Sequence, residues 1–563
     1  MANFRPALII TLVFLGYLLW VEWQKDYGPR PAPAPAASNT TATDSDTGMD
    51  LPPVEDTEVA DLPASNGPVN DLPEDGVDTG EDATRRIRVT TDVLDVEIDP
   101  VGGTVVVARL LNYPVDLDVP ELKVSLFQPA GAELYVAQSG LLSRQAAPNH
   151  TSLWQAAQFE YRLADDEQEL VVPLTWHDAS GVAVTKKFVF RRGDYAIAVS
   201  HELNNGGSEA WAGSRYLQLQ RALPTEEGGS GFNNPERYSF KGMGFYNPED
   251  KLVKIDFEDV ADEPYAYTGA GGWLSMIQHY FFTAWIPPGD EGNTFSTQQI
   301  AQAGAPRLIA RSVSPQVTVA PGEARTFNSI LYAGPKLQDE LEGIAPGLAL
   351  TVNYGIFTVI SAPLFWLLEK IHDFVGNWGW AILLLTVLIK LAFFKLTETQ
   401  YRSMARMRKL QPRIEKLKER FGDDRQAMSQ AMMQMYKEEK VNPLGGCLPI
   451  LVQIPIFIAL YWVLLESVEL RQAPFILWID NLSVRDPYFI LPLLNAAFMI
   501  MTQRLTPMVG MDPIQAKMMQ AMPIVFAVMF AFFPAGLVLY WATNAGLSLA
   551  QQWYITRKIA AAP

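Results

Sequence analysis

The sequence is poor in the residues that usually carry redox, metal and hydrolytic chemistry. Its single cysteine, Cys447, excludes an internal disulfide framework and a multi-cysteine metal site. The phosphate-binding pattern GxxxxGK[ST] is missing, which argues against nucleotide hydrolysis. The histidines form no HExxH or comparable cluster, which argues against a zinc hydrolase: His150, His177, His201, His279 and His372. We therefore expect no cofactor, no metal and no covalent chemistry.

Charge is also scarce and unevenly spread. Charged residues make up 19% of the 563 residues against 48% hydrophobic residues, a balance that favours a membrane protein. Residues 31–83 carry thirteen Asp or Glu and no Lys or Arg, within a net charge of -18. Such a segment cannot bury enough apolar surface to offset its ordering entropy. We assign 25–86 to an acidic, Pro-rich disordered linker.

An apolar run, ALIITLVFLGYLLWV at 7–21, precedes this linker. A cleaved signal peptide is one interpretation, with the alanines between 32 and 36 as the small residues of a cleavage site. Prolines interleave with those alanines, however, and Tyr17 and Trp20 are typical of a membrane interface. We favour an uncleaved transmembrane anchor at 1–24 with its N-terminus in the cytoplasm.

Residues 87–345 change to short runs of period two, broken at Asp99-Pro100 and Gly102-Gly103. Repeated strand and turn signals of this kind predict an all-β sandwich of about 250 residues in one domain. No catalytic set stands out in it. Sandwiches of this size often bind sugars, but a fold by itself does not establish that function.

The chain beyond residue 346 is helical and apolar. Residues 346–375 predict an amphipathic helix at the outer membrane interface. A helical core at 376–558 follows, with five apolar runs, each about as long as a ~30 Å hydrocarbon core requires. These candidate spans lie near 376–396, 445–466, 488–504, 518–533 and 535–553.

The segment 397–444 between two of these spans is basic. It holds eleven Lys or Arg against seven Asp or Glu, which places it in the cytoplasm and the β domain on the opposite side. With the N-terminal anchor, this gives six spans and two cytoplasmic termini. Its helical spacing is interrupted near Phe421, which indicates a helical hairpin. The hairpin is either a solvated pair packed on itself or a Met-rich docking platform that attracts RNA or lipid phosphate.

Lys390 lies inside the apolar run WAILLLTVLIKLAFFKL at 380–396. It stands about six residues, or about 9 Å, from the cytoplasmic end of its span. Its long stem could reach the interface, but Lys395 already supplies a cation there. The alternative is a cavity open to the cytoplasm, since polar residues within spans usually face a bundle interior or water. Polar residues at similar depth favour this alternative: Thr386, Gln453 and Asn544.

The polar residues of these spans bear differently on three classes of membrane protein. A transporter is expected to carry coupling carboxylates at mid-depth, and Glu466 stands only at a span end. An intramembrane hydrolase needs a nucleophile and base, and none of the spans holds a histidine. A protein that inserts other proteins needs a polar half-groove beside an apolar wall, which the spans supply.

Long stretches of the chain resemble the YidC/Oxa/Alb insertase family, in its Gram-negative type. The third-span region of that family is similar to residues 439–492, which include NPLGGCLPILVQIPIF. Its final span is similar to FFPAGLVLYWATNAGLSLAQQWYI at 532–555, and its second span to VGNWGWAILLLTVLIK. Its periplasmic domain is similar to the β region that contains GGWLSMIQHYFFTAWIP at 271–287. The likeness runs from about 87 to 558.

The resemblance implies a bacterial inner-membrane insertase and chaperone with a galactose-mutarotase-like periplasmic sandwich and a five-helix core around a cytoplasm-open groove. It implies nascent inner-membrane proteins, the Sec translocon (SecYEG and SecDF), the ribosome and the bilayer as partners.

The resemblance also implies roles for particular residues. The family's groove positions match Lys390, Thr386, Gln453 and Asn544. An apolar slide matches Ile454, Pro455, Met529, Phe530, Tyr540 and Trp541. The hairpin matches the ribosome-contact region, with docking cations at Arg402, Arg406, Arg408, Lys409 and Arg413. A non-inserting assembly chaperone of the Sec translocon is the alternative function.

The chain departs from the family pattern at two places. Lys390 stands where bacterial members usually have arginine, so the charge is kept while the planar five-donor fork is lost. A mechanism that needs only a positive point charge is compatible with this exchange. Arg557 and Lys558 lead only into IAAAP, so the long basic tail of some members is missing and tail-mediated ribosome binding is expected to be weaker.

Overall fold

The computed structural model describes residues 85–224, 239–300, 306–422, 424–439, 448–505 and 513–560. The proposed anchor at 1–24 and nearly all of the proposed linker at 25–86 lie outside these ranges. The first half of the described chain is made of strands and the second half of helices. The prediction of a large all-β domain followed by a helical region is confirmed.

The strands form two sheets, of eleven and nine strands among the described residues. The strands of the larger sheet are β1 (Ile87–Thr90), β2 (Leu94–Asp99), β3 (Thr104–Asp116), β4 (Val119–Ser125), β5 (Tyr135–Ser143), β7 (Glu160–Arg162), β11 (Trp211–Ala222), β14 (Ala266–Gly269), β17 (Asn293–Ile300), β18 (Arg307–Val313) and β19 (Val317–Val319). The strands of the smaller sheet are β6 (Gln155–Ala156), β8 (Glu169–His177), β9 (Val182–Arg191), β10 (Ala196–Asn205), β12 (Gly242–Asn247), β13 (Lys251–Asp256), β15 (Trp273–Ile277), β16 (Phe281–Ile286) and β20 (Ala324–Pro335).

The strand order explains how the sandwich is built. The larger sheet runs β14-β17-β18-β11-β5-β3-β2-β1-β7, with β19 on β11 and β4 on β3, and the smaller runs β13-β12-β15-β16-β20-β10-β9-β8-β6. Alternation of side chains places one face of each strand inward, as in β9, where every second residue from Val182 to Phe190 is buried. The core between the sheets is rich in aromatic residues, including Trp211, Trp273 and Trp285.

The helices begin after a short link from β20. They are α1 (Gln338–Ile344), α2 (Thr358–Val375), α3 (Trp378–Ala392), α4 (Phe394–Phe421), α5 (Arg425–Glu438), α6 (Leu448–Glu466), α7 (Ile490–Leu505), α8 (Pro513–Phe530) and α9 (Ala535–Ala560). The five helices α3, α6, α7, α8 and α9 occupy the ranges of the five candidate spans. The helix α2 occupies most of the predicted amphipathic segment, and the pair α4 and α5 forms the predicted hairpin.

The length and hydropathy of the described helices bear on whether each one crosses a bilayer. None of them is, as a single helix, both long and apolar enough to cross a bilayer, although α3 together with Phe394–Ser403 passes as a pair bent by 63°. The bend falls at Phe393, where the sequence alone predicted one continuous span. Neither Pro nor Gly causes it. The hydroxyl of Thr397 donates to the carbonyl of Phe393 at 3.0 Å across the bend.

The β domain contacts the helical region through buried polar groups. The ring of His279 donates from Nε2 to the carbonyl of Leu465 at 2.9 Å, at the end of α6. Burial lowers the pKa of His279 to about 3, so the ring that makes this bond is neutral. Lys336 and Glu466 are both fully buried nearby, and their opposite charges interact. The end of α6 is therefore held directly by the β domain.

Candidate functional site

The predicted groove residues stand on three helices, at helical spacings that put them on inward faces. On α9, Tyr540, Asn544 and Ser548 follow one another at intervals of four, so they form a single stripe. On α6, Gln453 and Phe457 have the same spacing. The helix α3 that carries Lys390 begins at an N-cap, where the Asn377 side chain accepts from the amide of Trp380 at 3.1 Å.

A cavity of about 170 Å³ lies where these three helices meet. Three predicted groove residues line it, namely Lys390, Gln453 and Asn544. The rest of its wall is mostly apolar and consists of Ile389, Ile454, Ile456, Phe457 and Tyr540. This volume is large enough for several water molecules, and the amides and the ammonium are polar partners of the kind that buried water needs.

The ammonium of Lys390 is inside the protein and has a neutral partner. The residue is only 9% exposed. Its Nζ donates to the Ser548 hydroxyl at 2.8 Å, across from α3 to α9. Among the described residues, no carboxylate lies within ion-pair distance of this ammonium. The positive charge in the cavity wall is therefore not neutralised by the described part of the chain.

Thr386 lies one turn before Lys390 but outside the cavity wall. It is buried, and its hydroxyl donates to the carbonyl of Ile382 at 2.7 Å within α3. The lining residues do not include it. The structure thus brings three of the four predicted groove residues together and turns the fourth into the helix packing.

The predicted slide residues divide into an exposed pair and a buried aromatic group. Ile454 and Met529 are 45% and 40% exposed. Phe530 and Trp541 are buried, with ring centroids 3.8 Å apart, and Tyr540 is buried beside the cavity. Pro455 is partly buried within α6. Among the predicted slide residues, Ile454 is thus both exposed and part of the cavity wall, Met529 is exposed, and the aromatic rings are buried.

The hairpin of α4 and α5 places two of the predicted docking cations in ion pairs. Arg402 contacts Glu398 at 2.7 Å, one turn earlier on α4, and Arg413 pairs with Glu439 near the end of α5. Exposed pairs of this kind contribute little to stability and leave the cations accessible. The side chains of Arg406, Arg408 and Lys409 lie outside the described part of the chain.

The methionines of the hairpin are divided between packed and exposed positions. Met435 is buried against Leu410 and Ile414, so part of the Met face packs the two helices on each other. Met433 is 56% exposed on α5. The hairpin is thus a packed pair that still presents a soft apolar side chain to its surroundings.

Sequence reasoning missed two residues of the site, one in the cavity wall and one that binds Lys390. Phe457 lines it and stacks on Trp541 at a centroid distance of 5.4 Å. Ser548 holds the ammonium of Lys390. Their spacing could have identified them. Phe457 follows Gln453, and Ser548 follows Asn544, by one helical turn, so each pair lies on one face of its helix. Serine and phenylalanine are common in apolar helices, so the residue type alone did not indicate that either residue belongs to the site.

Comparison with known proteins gives the family. Residues 86–367 match the family described as the YidC periplasmic domain, and residues 370–562 match the 60Kd inner membrane protein family. The membrane protein insertase YidC of Thioalkalivibrio sulfidiphilus is 50% identical over 568 residues, covering 99% of both chains. The chain belongs to the YidC family of membrane protein insertases. The protein of the same name from Methylococcus capsulatus is 49% identical, again over 99% of both chains.

Family membership establishes the general function of the chain and the membrane in which it acts. It is a membrane insertase of the bacterial inner membrane with a periplasmic domain, and it acts on membrane proteins within a lipid bilayer. The β domain described above is the periplasmic domain, and the helical region carries the inner-membrane part.

Two solved structures give likenesses at lower similarity. An active YidC insertase crystal structure, with its first transmembrane domain resolved, is 19% identical, covers 84% of this chain and 92% of its own, and gives a TM-score of 0.38. A galactose mutarotase-like protein from Lactobacillus casei is 7% identical, covers 44% of this chain and 99% of its own, and gives a TM-score of 0.30.

Proposed function

We propose that the chain inserts and folds inner-membrane proteins by receiving a polar client segment in the cavity between α3, α6 and α9. The ammonium of Lys390 is the group that attracts the segment. The single observation that carries this proposal is a buried ammonium in a cavity wall whose described partner is neutral. The charge is available to a client carboxylate.

Coulomb attraction sets the size of the effect. A carboxylate 4 Å from the ammonium gains about 4 kcal/mol at an effective dielectric of 20, before desolvation is deducted. A lysine provides this attraction as a point charge, without bidentate geometry. The net gain is small enough for the client to leave, and a transient contact is what insertion requires.

The client segment leaves the cavity for the lipid along the apolar side of the cavity. The client helix moves past Ile454 and Met529 into lipid, driven by transfer of its apolar surface at about 25 cal/mol per Å². Water in the cavity shortens the hydrocarbon path that the polar segment crosses. No nucleotide is needed, because the hydrophobic transfer of the client supplies the free energy.

The surroundings of the site complete the proposal. We infer six spans with both termini in the cytoplasm, from the basic hairpin and the N-terminal apolar run. The hairpin, with Arg402 and Arg413 exposed, is proposed to contact the ribosome or lipid phosphate. The β domain is proposed to contact the Sec translocon, as the family resemblance implies.

Purified protein in liposomes tests the proposal with small clients whose translocated tail is either acidic or neutral. Lys390→Ala is expected to lower insertion of the acidic-tailed client at least tenfold, and Lys390→Glu to abolish it. Lys390→Arg retains the charge and is expected to keep activity. Lys395→Ala, which removes an exposed lysine five residues later, serves as the matched control.

Full insertion of the acidic-tailed client by Lys390→Ala contradicts the role of the ammonium. The same liposomes separate the two candidate functions, because a non-inserting chaperone of the Sec translocon leaves the client outside the bilayer when no other protein is present. The wild-type chain is expected to insert the client unaided.

A further inference from the structure

Ser548 occupies a position that touches both arms of the bent helix pair. Its hydroxyl oxygen accepts from Lys390 on α3 at 2.8 Å. Its backbone carbonyl accepts from the hydroxyl of Tyr401 on α4 at 3.3 Å. One residue of α9 therefore contacts the span that carries the cation and the helix that continues towards the hairpin.

The hydroxyl of Ser548 is oriented to act as an acceptor. Its own hydrogen is donated to the carbonyl of Asn544 at 2.7 Å, one turn earlier on α9. A hydroxyl has one hydrogen and two lone pairs, so once the hydrogen is committed only the lone pairs face Lys390. The contact is a charge-assisted hydrogen bond, which is stronger than a bond between two neutral groups.

This bond decides where the lysine head lies. A lysine stem is long and flexible, and in an apolar helix it tends to carry its head to the nearest interface. The bond to Ser548 opposes that movement and keeps the ammonium at the cavity. Because an ammonium has three hydrogens, the bond leaves two for a client.

We propose that Ser548 is a positioning residue that holds the Lys390 ammonium in the cavity, and that preference for acidic client segments depends on it. The proposal rests on the function proposed above. Without the hydroxyl, the ammonium spends most of its time at the cytoplasmic interface, and acidic segments lose their advantage. Neutral segments do not use the ammonium and are unaffected.

The test measures insertion of the acidic-tailed and the neutral-tailed client, at low client concentration, by full-length variants in liposomes. Ser548→Ala is expected to lower the ratio of acidic to neutral insertion about tenfold, the equivalent of one charge-assisted hydrogen bond. Ser548→Thr keeps the hydroxyl and is expected to restore the ratio. Thr543→Ala is the matched control, since the Thr543 hydroxyl makes the same local bond, to the carbonyl of Leu539 at 2.7 Å, without contacting the lysine.

The proposal is overturned if Ser548→Ala keeps the wild-type ratio, if both clients fall equally, or if Thr543→Ala changes the ratio as much. Lys390→Ala, run beside these variants, separates the two hypotheses. If Lys390→Ala abolishes the preference and Ser548→Ala does not, only the positioning role fails. If Lys390→Ala leaves the preference intact, the proposed function of the ammonium fails as well.

Discussion

Two buried lysines, one in the β domain and one in the helical region, have opposite surroundings. Lys186 stands at an inward position of β9 and donates to three carbonyls, those of Gly102, Gly103 and Ser139, at 3.1, 2.8 and 3.1 Å. Lys390 donates to one hydroxyl, that of Ser548. An ammonium has three hydrogens, so the first lysine is fully occupied and the second is not.

The difference separates a structural cation from one available to a ligand. Burial lowers the pKa of Lys186 to about 7, while the three carbonyls favour its charged form. Its ammonium joins the turn at Gly102-Gly103 to β5, the strand that contains Ser139. Lys390 lines a cavity, and among the described residues its ammonium has one acceptor, the Ser548 hydroxyl. The number of hydrogen bonds, rather than burial alone, indicates which buried lysine can bind a client.

Replacing the occupied lysine is expected to have the largest effect on stability. Lys186→Met leaves the three carbonyls without their donor, at about 1–3 kcal/mol for each group left unsatisfied. We expect the free energy of unfolding of the β domain to fall by at least about 3 kcal/mol. Tryptophan fluorescence during denaturation of the detergent-solubilised protein measures it. A loss below about 1 kcal/mol contradicts the assignment of Lys186 as structural.

A buried carboxyl between the two regions is expected to have an intermediate, pH-dependent effect. Glu469, just after α6, has one carboxyl oxygen enclosed without a hydrogen-bond partner among the described residues. Burial, with the charges of Glu369 and Asp339 adding to it, raises the pKa of Glu469 to about 7. Since the folded pKa is raised, the folded state keeps a proton that the unfolded state releases, and stability falls as pH rises from about 4.5 to 7.

Glu469→Gln removes this penalty. We expect the variant to be more stable than the wild type by up to about 3 kcal/mol at pH 8, and equally stable at pH 4. Thermal unfolding at the two pH values measures the difference. Equal stability of the two proteins at pH 8 contradicts the raised pKa of Glu469 in the folded state.

Replacing the available lysine is expected to have the smallest effect on stability. Lys390→Met loses one hydrogen bond but also removes the cost of burying an ammonium in a mostly apolar wall. We expect the free energy of unfolding to change by less than about 1 kcal/mol, while insertion of acidic-tailed clients is lost. A large loss of stability in this variant assigns Lys390 a structural role and removes the contrast with Lys186.

The sequence predicted the parts of this structure that depend on local patterns. Period-two runs located the β domain, and apolar runs located α3, α6, α7, α8 and α9 to within a few residues at most ends. It predicted that Lys390, Thr386, Gln453 and Asn544 share a site, because each is a polar residue in an apolar helix. Residue type and depth identified the three that line the cavity, but they also selected Thr386, which does not line it.

The remaining features depend on how helices pack on one another. No Pro or Gly marks the bend at Phe393 in the sequence. A threonine such as Thr397 also occurs in straight helices, so it does not predict a bend. The inward turn of Thr386 and the burial of Trp541 follow from the rotation of each helix about its axis, which composition does not fix. Ser548 contacts Lys390 only because α9 lies beside α3, a relation between residues 158 positions apart.

Cross-linking a client tail to the cavity tests the central claim most directly. Cys447 is the only native cysteine, so Cys447→Ser gives a clean background in which Asn544→Cys places a thiol in the cavity wall. A client with a single cysteine beside its acidic residue is expected to form a disulfide with that position during insertion. The cross-link is expected to disappear when Lys390→Ala is added and to return with Lys390→Arg. Equal cross-linking with and without the cation contradicts the account.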